Sequence, residues 1–332
     1  MQLRTLLPLL LAVLAAGMLA ALGMGSYRIE YGDVLRTLST LWSPDDTVPE
    51  MMKSVVLNVR LPRVLLAAAA GAGLAAAGAA FQALFSNPLA TPDTLGVATG
   101  SAFGAVAGIL FGWDGMAVQA AALAAGLAAA ALVISISRIR GQSSILMLIL
   151  SGLVISAFFS SLISLAKYAA DPQDVLPAIT FWLMGSITGA TMKTLALGLP
   201  FILTGTAAIW LLRWKLNALS LPEDEARSLG LSVGRLRLLV ILCATMITAS
   251  VVSMCGMIGW VGLLIPHFAR LLAGNSNERV VPLALALGSL FVLAADTAAR
   301  CATEMEIPVS ILTALAGAPV FIMLLRKNGG IR

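Results

Sequence analysis

Charge is what this sequence lacks most. Only 11% of its 332 residues are Asp, Glu, Lys or Arg, against about 25% in a soluble domain. So few charges cannot cover a water-facing surface of this size. A soluble enzyme, a disordered chain and a nucleic-acid module are therefore excluded. Histidine is almost missing: His267 stands alone, so no multi-histidine metal site can form. It follows Pro266 at the end of an apolar run and reads as structural. The three cysteines, Cys243, Cys255 and Cys301, form neither a CxxC pair nor an even set. No disulfide frame or zinc site is expected from them. No GxxxxGK motif occurs, so the chain has no Walker-type cradle for a nucleotide phosphate. An intramembrane protease needs paired aspartates or an activated serine. Asp296 has no second buried aspartate, and Ser151-Gly152 lacks the flanking pattern of a serine nucleophile.

What is there is apolar sequence. The chain is 59% hydrophobic, with a mean hydropathy of +0.96. A helix needs about 20 mostly apolar residues to cross a hydrocarbon core about 30 Å thick. Residues 6–24, 64–85, 94–113, 115–137, 143–166, 194–212, 280–300 and 307–325 each suit one crossing. The first is read as a retained helix, not a cleaved signal, because its apolar run is uninterrupted and many spans follow. Residues 238–266 hold no charge over 29 positions and contain Gly256, Gly259 and Gly262. That is long for one span, so a break is expected near 256–259. The expected fold is all-α: a polytopic membrane protein of about ten helices in one bundle, a single permease-like domain over residues 1–332.

Orientation follows from Lys and Arg, which favour the cytoplasmic side. With the N-terminus inside, 13 of these residues fall on inner segments and 8 on outer ones. Both termini are thus expected inside. The net charge of +5 reflects this placement and points away from nucleic acid. Several spans are rich in Gly and Ala, which let helices approach closely where no hydrophobic drive joins them.

Polar sequence is confined to short segments. Residues 26–63 read as an outer loop with one amphipathic stretch, Asp33–Trp42, and a turn at Pro44–Asp46, and residues 169–193 as an outer loop holding Asp171, Pro172, Asp174 and Pro177. The inner segment 214–237 carries Leu221-Pro222-Glu223-Asp224-Glu225-Ala226-Arg227-Ser228-Leu229-Gly230. Proline at the start, acids in the first turn and glycine at the end describe a short helix lying on the cytoplasmic face. Such a helix is more than a linker needs and suits docking to a cytoplasmic partner. On the outer side, Arg60-Leu61-Pro62-Arg63 opens the second span and Arg300 closes the ninth. These arginines either snorkel to headgroups or anchor acidic residues of an external protein. Asn87-Pro88-Leu89-Ala90-Thr91-Pro92 carries two prolines in five residues and cannot continue a helix. An ordinary loop and a turn lining a water-filled path both fit it.

Read in order, these pieces resemble the FecCD family, the permease subunits of type II ABC importers for ferric siderophores, haem and cobalamin. The resemblance rests on RLPR at 60–63, GAGLAAAGAAFQALFSNPLATPDTLGVATGSAFGA at 71–105 and WLMGS at 182–186. EARSLGLSVGRLR at 225–237, GMIGWVGLLIPHFARLLAG at 256–274, ADTAAR at 295–300 and EIPVSILTALAGAPVF at 306–321 complete it. It implies a homodimer, or a pair of homologues, around a central pathway in a bacterial or archaeal cytoplasmic membrane. It implies two cytoplasmic ATPase subunits, which hold the ATP and Mg2+, and an external substrate-binding protein. No cofactor is expected in this chain. By resemblance, Leu221, Glu223, Glu225, Ala226, Arg227, Leu229 and Gly230 dock on the ATPase. Arg60, Arg63 and Arg300 meet acidic residues of the binding protein, and Asn87 and Leu89 belong to the cytoplasmic gate. The fifth span lines the path. Ser86 stands where the family commonly has Arg, and Ser310 where Gly often follows Pro-Val. The implied cargo is a metal chelate, ferric siderophore first, with cobalamin, haem and molybdate as alternatives. A different class, an ion-coupled transporter, would need ionisable residues inside the spans, and Asp296 and Arg300 near one end are nearly all the spans offer.

Overall fold

The computed structural model describes residues 3–327, apart from 26, 44, 46, 140, 141, 144, 222 and 303–305. Pro222, Pro44, Asp46, Arg140 and Arg332, named or counted above, lie outside the described residues. Outer and inner below follow the Lys and Arg bias.

Helix α1 spans Leu3–Gly23 and α2 Tyr31–Ser39. α3 (Glu50–Lys53), a π-helical turn (Ser54–Arg60) and α4 (Leu61–Leu84) form one run. α5 (Val97–Leu110) and α6 (Gly115–Ser137) form a hairpin. A two-residue β-pair, Arg138–Ile139 with Gln142–Ser143, joins α6 to α7 (Ile145–Ala169). α8 (Val175–Leu183), α9 (Met192–Leu219), α10 (Glu223–Ser228) and α11 (Val233–Cys255) follow. α12 (Val261–Ala273), α13 (Asn277–Cys301) and α14 (Val309–Lys327) close the chain. Among the described residues, seven helices are long and apolar enough to cross a membrane, and three shorter apolar ones accompany them. The expected ten membrane helices are these. The expected break in residues 238–266 falls between Cys255 and Val261.

The core forms around α4, whose run from Leu61 to Leu84 is buried almost throughout. It packs against α9, α11, α12 and α13. Glycine makes this possible. A methyl group at Gly71 would overlap the Gly288 carbonyl, and one at Gly78 would overlap Gly262. Backbones in contact maximise dispersion where lipid offers no hydrophobic drive. By contrast α7 exposes Leu146, Leu150, Leu153, Val154, Phe158 and Leu165.

Two expected loops are partly helical. The loop read over residues 26–63 contains α2, as its amphipathic stretch suggested, but helix resumes at Glu50 and runs straight into α4. Residues 169–193, read as loop from their prolines and aspartates, contain α8. Pro177 falls in the first turn of α8, where an amide proton is not needed. Asp171 turns the chain into that helix: its Oδ2 accepts from the amides of Gln173 and Asp174 at 3.0 and 2.9 Å.

Candidate functional site

At the outer end, the three motif arginines are inside the protein. Arg60, Arg63 and Arg300 are 4%, 4% and 7% exposed. A buried guanidinium requires acceptors. Arg63 Nε donates to Asp296 Oδ1 at 2.9 Å, and its Nη1 donates to Glu306 Oε2 at 2.7 Å. Arg300 Nε stands 4.0 Å from Asp296 Oδ2, one helical turn along α13. Asp296 is 0% exposed and so lies between two arginines. Arg60 and Arg300 also donate to the end of α1, whose last carbonyls have no partner within the helix. Arg300 Nη2 donates to the Ala21 carbonyl at 2.5 Å, and Arg60 Nη1 to that of Leu22 at 2.7 Å. Positive charge at a helix C-terminus also suits the macrodipole. Arg60 Nη2 reaches the Tyr27 carbonyl.

Glu306 extends the cluster to a third element. Thr188, between α8 and α9, donates from Oγ1 to Glu306 Oε2 at 2.8 Å. Burial alone would raise the Glu306 carboxyl. Hydrogen bonds from Arg63 and Thr188, with the charge of Arg63, bring it net below the usual glutamate value. Beside the cluster, a cavity of about 980 Å3 opens between the end of α1, α2 and the end of α13, lined by Arg28, Glu30, Tyr31, Arg300 and Cys301 among others.

The inner end is built differently. α10 seats Ala226, 1% exposed, against α9 and α11. Asp224, Glu225, Arg227 and Leu229 lie exposed, Leu229 at 64% and the preceding Leu221 at 41%. The Glu223 side chain is outside the described residues. Gly230, at φ +78°, ends the helix and donates its amide to the Arg227 carbonyl at 2.9 Å, as a left-handed C-cap requires. Nearby, Asn217 at the end of α9 accepts from the Asn277 amide at 2.8 Å, which caps α13 and ties these two helices under α10.

Asn87 and Leu89 also sit on the inner side, both exposed. Asn87 Oδ1 accepts from the Leu89 amide at 2.9 Å, an Asx turn that Pro88 favours. The chain then re-enters the bundle: Pro92 packs against Gly262, and Thr94 and Leu95 against Gly152 in the middle of α7. Gly96, at φ +69°, turns it into α5. Ser86, in the family's usual arginine position, adopts φ +48°.

The structure thus joins Arg63 to Arg300 through Asp296, holds Arg60 on α1, and places α10 and the Asn87 turn at the opposite end. Sequence reading missed the carboxylates of the outer cluster. Asp296 and Arg300 are four apart on one helix, a spacing that pairs side chains, so half the cluster had a local signal. Glu306 had none. It also missed Gln82, 3% exposed on α4, which donates to the Gly262 carbonyl at 3.3 Å and accepts from Arg270. Among the described residues, no group of three or more His, Cys, Asp or Glu is placed to hold a metal ion.

Comparison with known proteins covers the whole of this architecture. The FecCD transport family matches residues 11–327. The molybdate import system permease protein MolB of Haemophilus influenzae is 41% identical over 331 residues, covering 98% of this chain and 96% of its own length. The cobalamin import system permease protein BtuC of Halobacterium salinarum is 39% identical over 282 residues, 85% of this chain and 76% of its own. A solved structure presented as an inward-facing conformation of a metal-chelate type ABC transporter is 37% identical. It covers 98% of this chain and 99% of its own, with a TM-score of 0.87.

Proposed function

Because the chain belongs to the FecCD transport family, we propose that it is the membrane-spanning permease subunit of an ATP-driven importer and forms the path by which a metal chelate crosses the cytoplasmic membrane of a bacterium or archaeon. The observation that carries this reading is the agreement over 98% of the chain with a transporter of that type. Two copies, or this chain and a homologue, enclose the path. Two ATPase subunits beneath them hold ATP and Mg2+, and a binding protein delivers cargo from outside. Ferric siderophore is the first cargo. A molybdate-type oxyanion is the second reading, favoured by the 41% identity to a molybdate permease.

The parts of this chain take roles that suit their exposure. The exposed Glu225 and Arg227 of α10, with Leu221 and Leu229 flanking it, meet the ATPase, and the resemblance adds Glu223 to them. Ala226 anchors the helix to α9 and α11, so ATPase closure pushes the bundle. Gly230 stops the helix. Asn87 and Leu89 close the path at the inner side. Arg60, Arg63 and Arg300 lie just under the outer rim, where an acidic side chain of the binding protein competes with Glu306 for Arg63. An ion-coupled mechanism needs a carboxylate that can exchange its ion. Asp296 is instead held by Arg63 at 2.9 Å.

The test is co-reconstitution with the ATPase and binding protein in vesicles, followed by uptake of ferric siderophore, cobalamin and molybdate. ATP-dependent uptake is expected, strongest for one cargo. Uptake driven by an ion gradient without ATP would overturn the reading. The double variant Glu225→Ala, Leu229→Ala should lower ATP-driven uptake roughly tenfold, the effect of losing about 1.4 kcal/mol of contact energy. Unchanged uptake would remove α10 as the lever.

A further inference from the structure

Residues 256–260, between α11 and α12, are non-helical backbone at membrane depth, with Gly256 at φ +67° and Trp260 at φ +72°. At their outer end the Cys255 carbonyl accepts from the Ser186 amide at 2.7 Å. At their inner end Gly262 packs on Gly78, 17 residues and about 25 Å along α4 from Leu61. Ile247, two turns before Cys255, lies against Gly73. These contacts make the chain descend roughly 20 Å between Cys255 and Gly262, where a helix would descend about 10 Å. The stretch cannot be helical, and it gives up most of its helical hydrogen bonding to span that distance.

Most of its backbone groups are not taken up elsewhere. Among the described residues, the amides of Met257, Ile258, Gly259 and Trp260 have no acceptor, and the carbonyls of Gly256, Met257 and Ile258 have no donor. Met257, Gly259 and Trp260 are half-exposed, and Trp260 holds φ +72°, rare for a bulky residue. Each unsatisfied backbone group costs several kcal/mol in hydrocarbon, and irregular backbone persists at this depth only inside protein or beside water. The segment runs past the Met184–Gly185 turn, and Trp260 packs edge-on against Phe321 of α14 at 6.3 Å.

We infer that residues 256–260 form a wall of the water-filled path, where free amides and carbonyls make passing hydrogen bonds to an oxygen-rich, hydrated chelate. The inference rests on the conduit reading and adds to it the element that meets the cargo. Neutral backbone dipoles grip weakly, which suits release. Hydrogen–deuterium exchange of the unmodified transporter in lipid nanodiscs tests it. The amides of residues 257–260 are expected to exchange at least a hundredfold faster than those of α11 and α12. Protection equal to those helices would overturn the inference. Thiol labelling is the second measurement, after replacing Cys243, Cys255 and Cys301 by Ala. Met257→Cys and Gly259→Cys should react with a charged, water-soluble maleimide at least tenfold faster than Leu11→Cys on the outside of α1. Equal rates would refute the wall. ATP-driven uptake by the parent protein is read separately: uptake with protected amides sinks the wall alone, whereas fast exchange without uptake sinks the importer reading.

Discussion

The two ends of this protein handle charge in opposite ways. At the outer end, Arg63 and Arg300 are buried and flank an aspartate with no exposure at all. At the inner end, Asp224 and Glu225 are exposed on a six-residue helix. A charge drawn inside must find its partner in the same fold, or the desolvation cost is not recovered. A charge left in water remains available to another protein. The outer end is therefore a fastening between α1, α4, α13 and the loop before α14, and the inner end has the exposure that the proposed handle for an ATPase needs. Both ends carry charge, yet the outer charges pair within the chain, while the inner ones are exposed, as the proposed docking on an ATPase requires.

The sharpest way to break this contrast is to remove the shared aspartate. Asp296→Ala leaves two buried arginines without their common carboxylate and should cost roughly 3–5 kcal/mol, read as a large fall in unfolding temperature in lipid nanodiscs. A fall no larger than that of a surface variant would mean the outer cluster is solvated. Next in size is Glu306→Gln, which keeps the shape and removes the charge facing Arg63. Since Glu306 is a third exposed, the expected loss is about 1 kcal/mol, and Asp296→Ala should exceed it clearly.

Acidification gives a smaller effect with a definite sign. The Glu306 carboxyl lies below its ordinary value because Arg63 and Thr188 outweigh burial. Its contribution is whole above about pH 4.3, the unfolded glutamate value, and disappears as the pH falls through the lower folded value. The difference in unfolding temperature between the parent and Glu306→Gln should persist at pH 7 and close as the pH falls through the lowered folded value. The least effect belongs to the handle: Leu229→Ala or Glu225→Ala should change stability by no more than about 0.5 kcal/mol while lowering uptake. A stability loss as large as that of Glu306→Gln would make the two ends alike.

Much of this was readable before any coordinates. The long apolar runs set the number of crossings because a bilayer demands length and offers backbone groups no water. The glycines at 256 and 259 marked where one run had to break. Gly230 ended α10, because the signals that stop a short helix are local. The helix in residues 169–193 was hidden, since proline and aspartate mark a loop and a helix's first turn equally well.

What the chain's order of residues could not reveal is which charges face each other. Arg63 and Asp296 are 233 positions apart, and Arg63 and Glu306 still further. Their meeting depends on α4 and α13 closing to glycine contact at Gly71 and Gly288, an event of packing that no local pattern encodes. Hydropathy and helix signals act within a few turns of a residue and are written in sequence. Pairing across a bundle is written in the approach of backbones, so burial of the outer arginines emerged only with the fold.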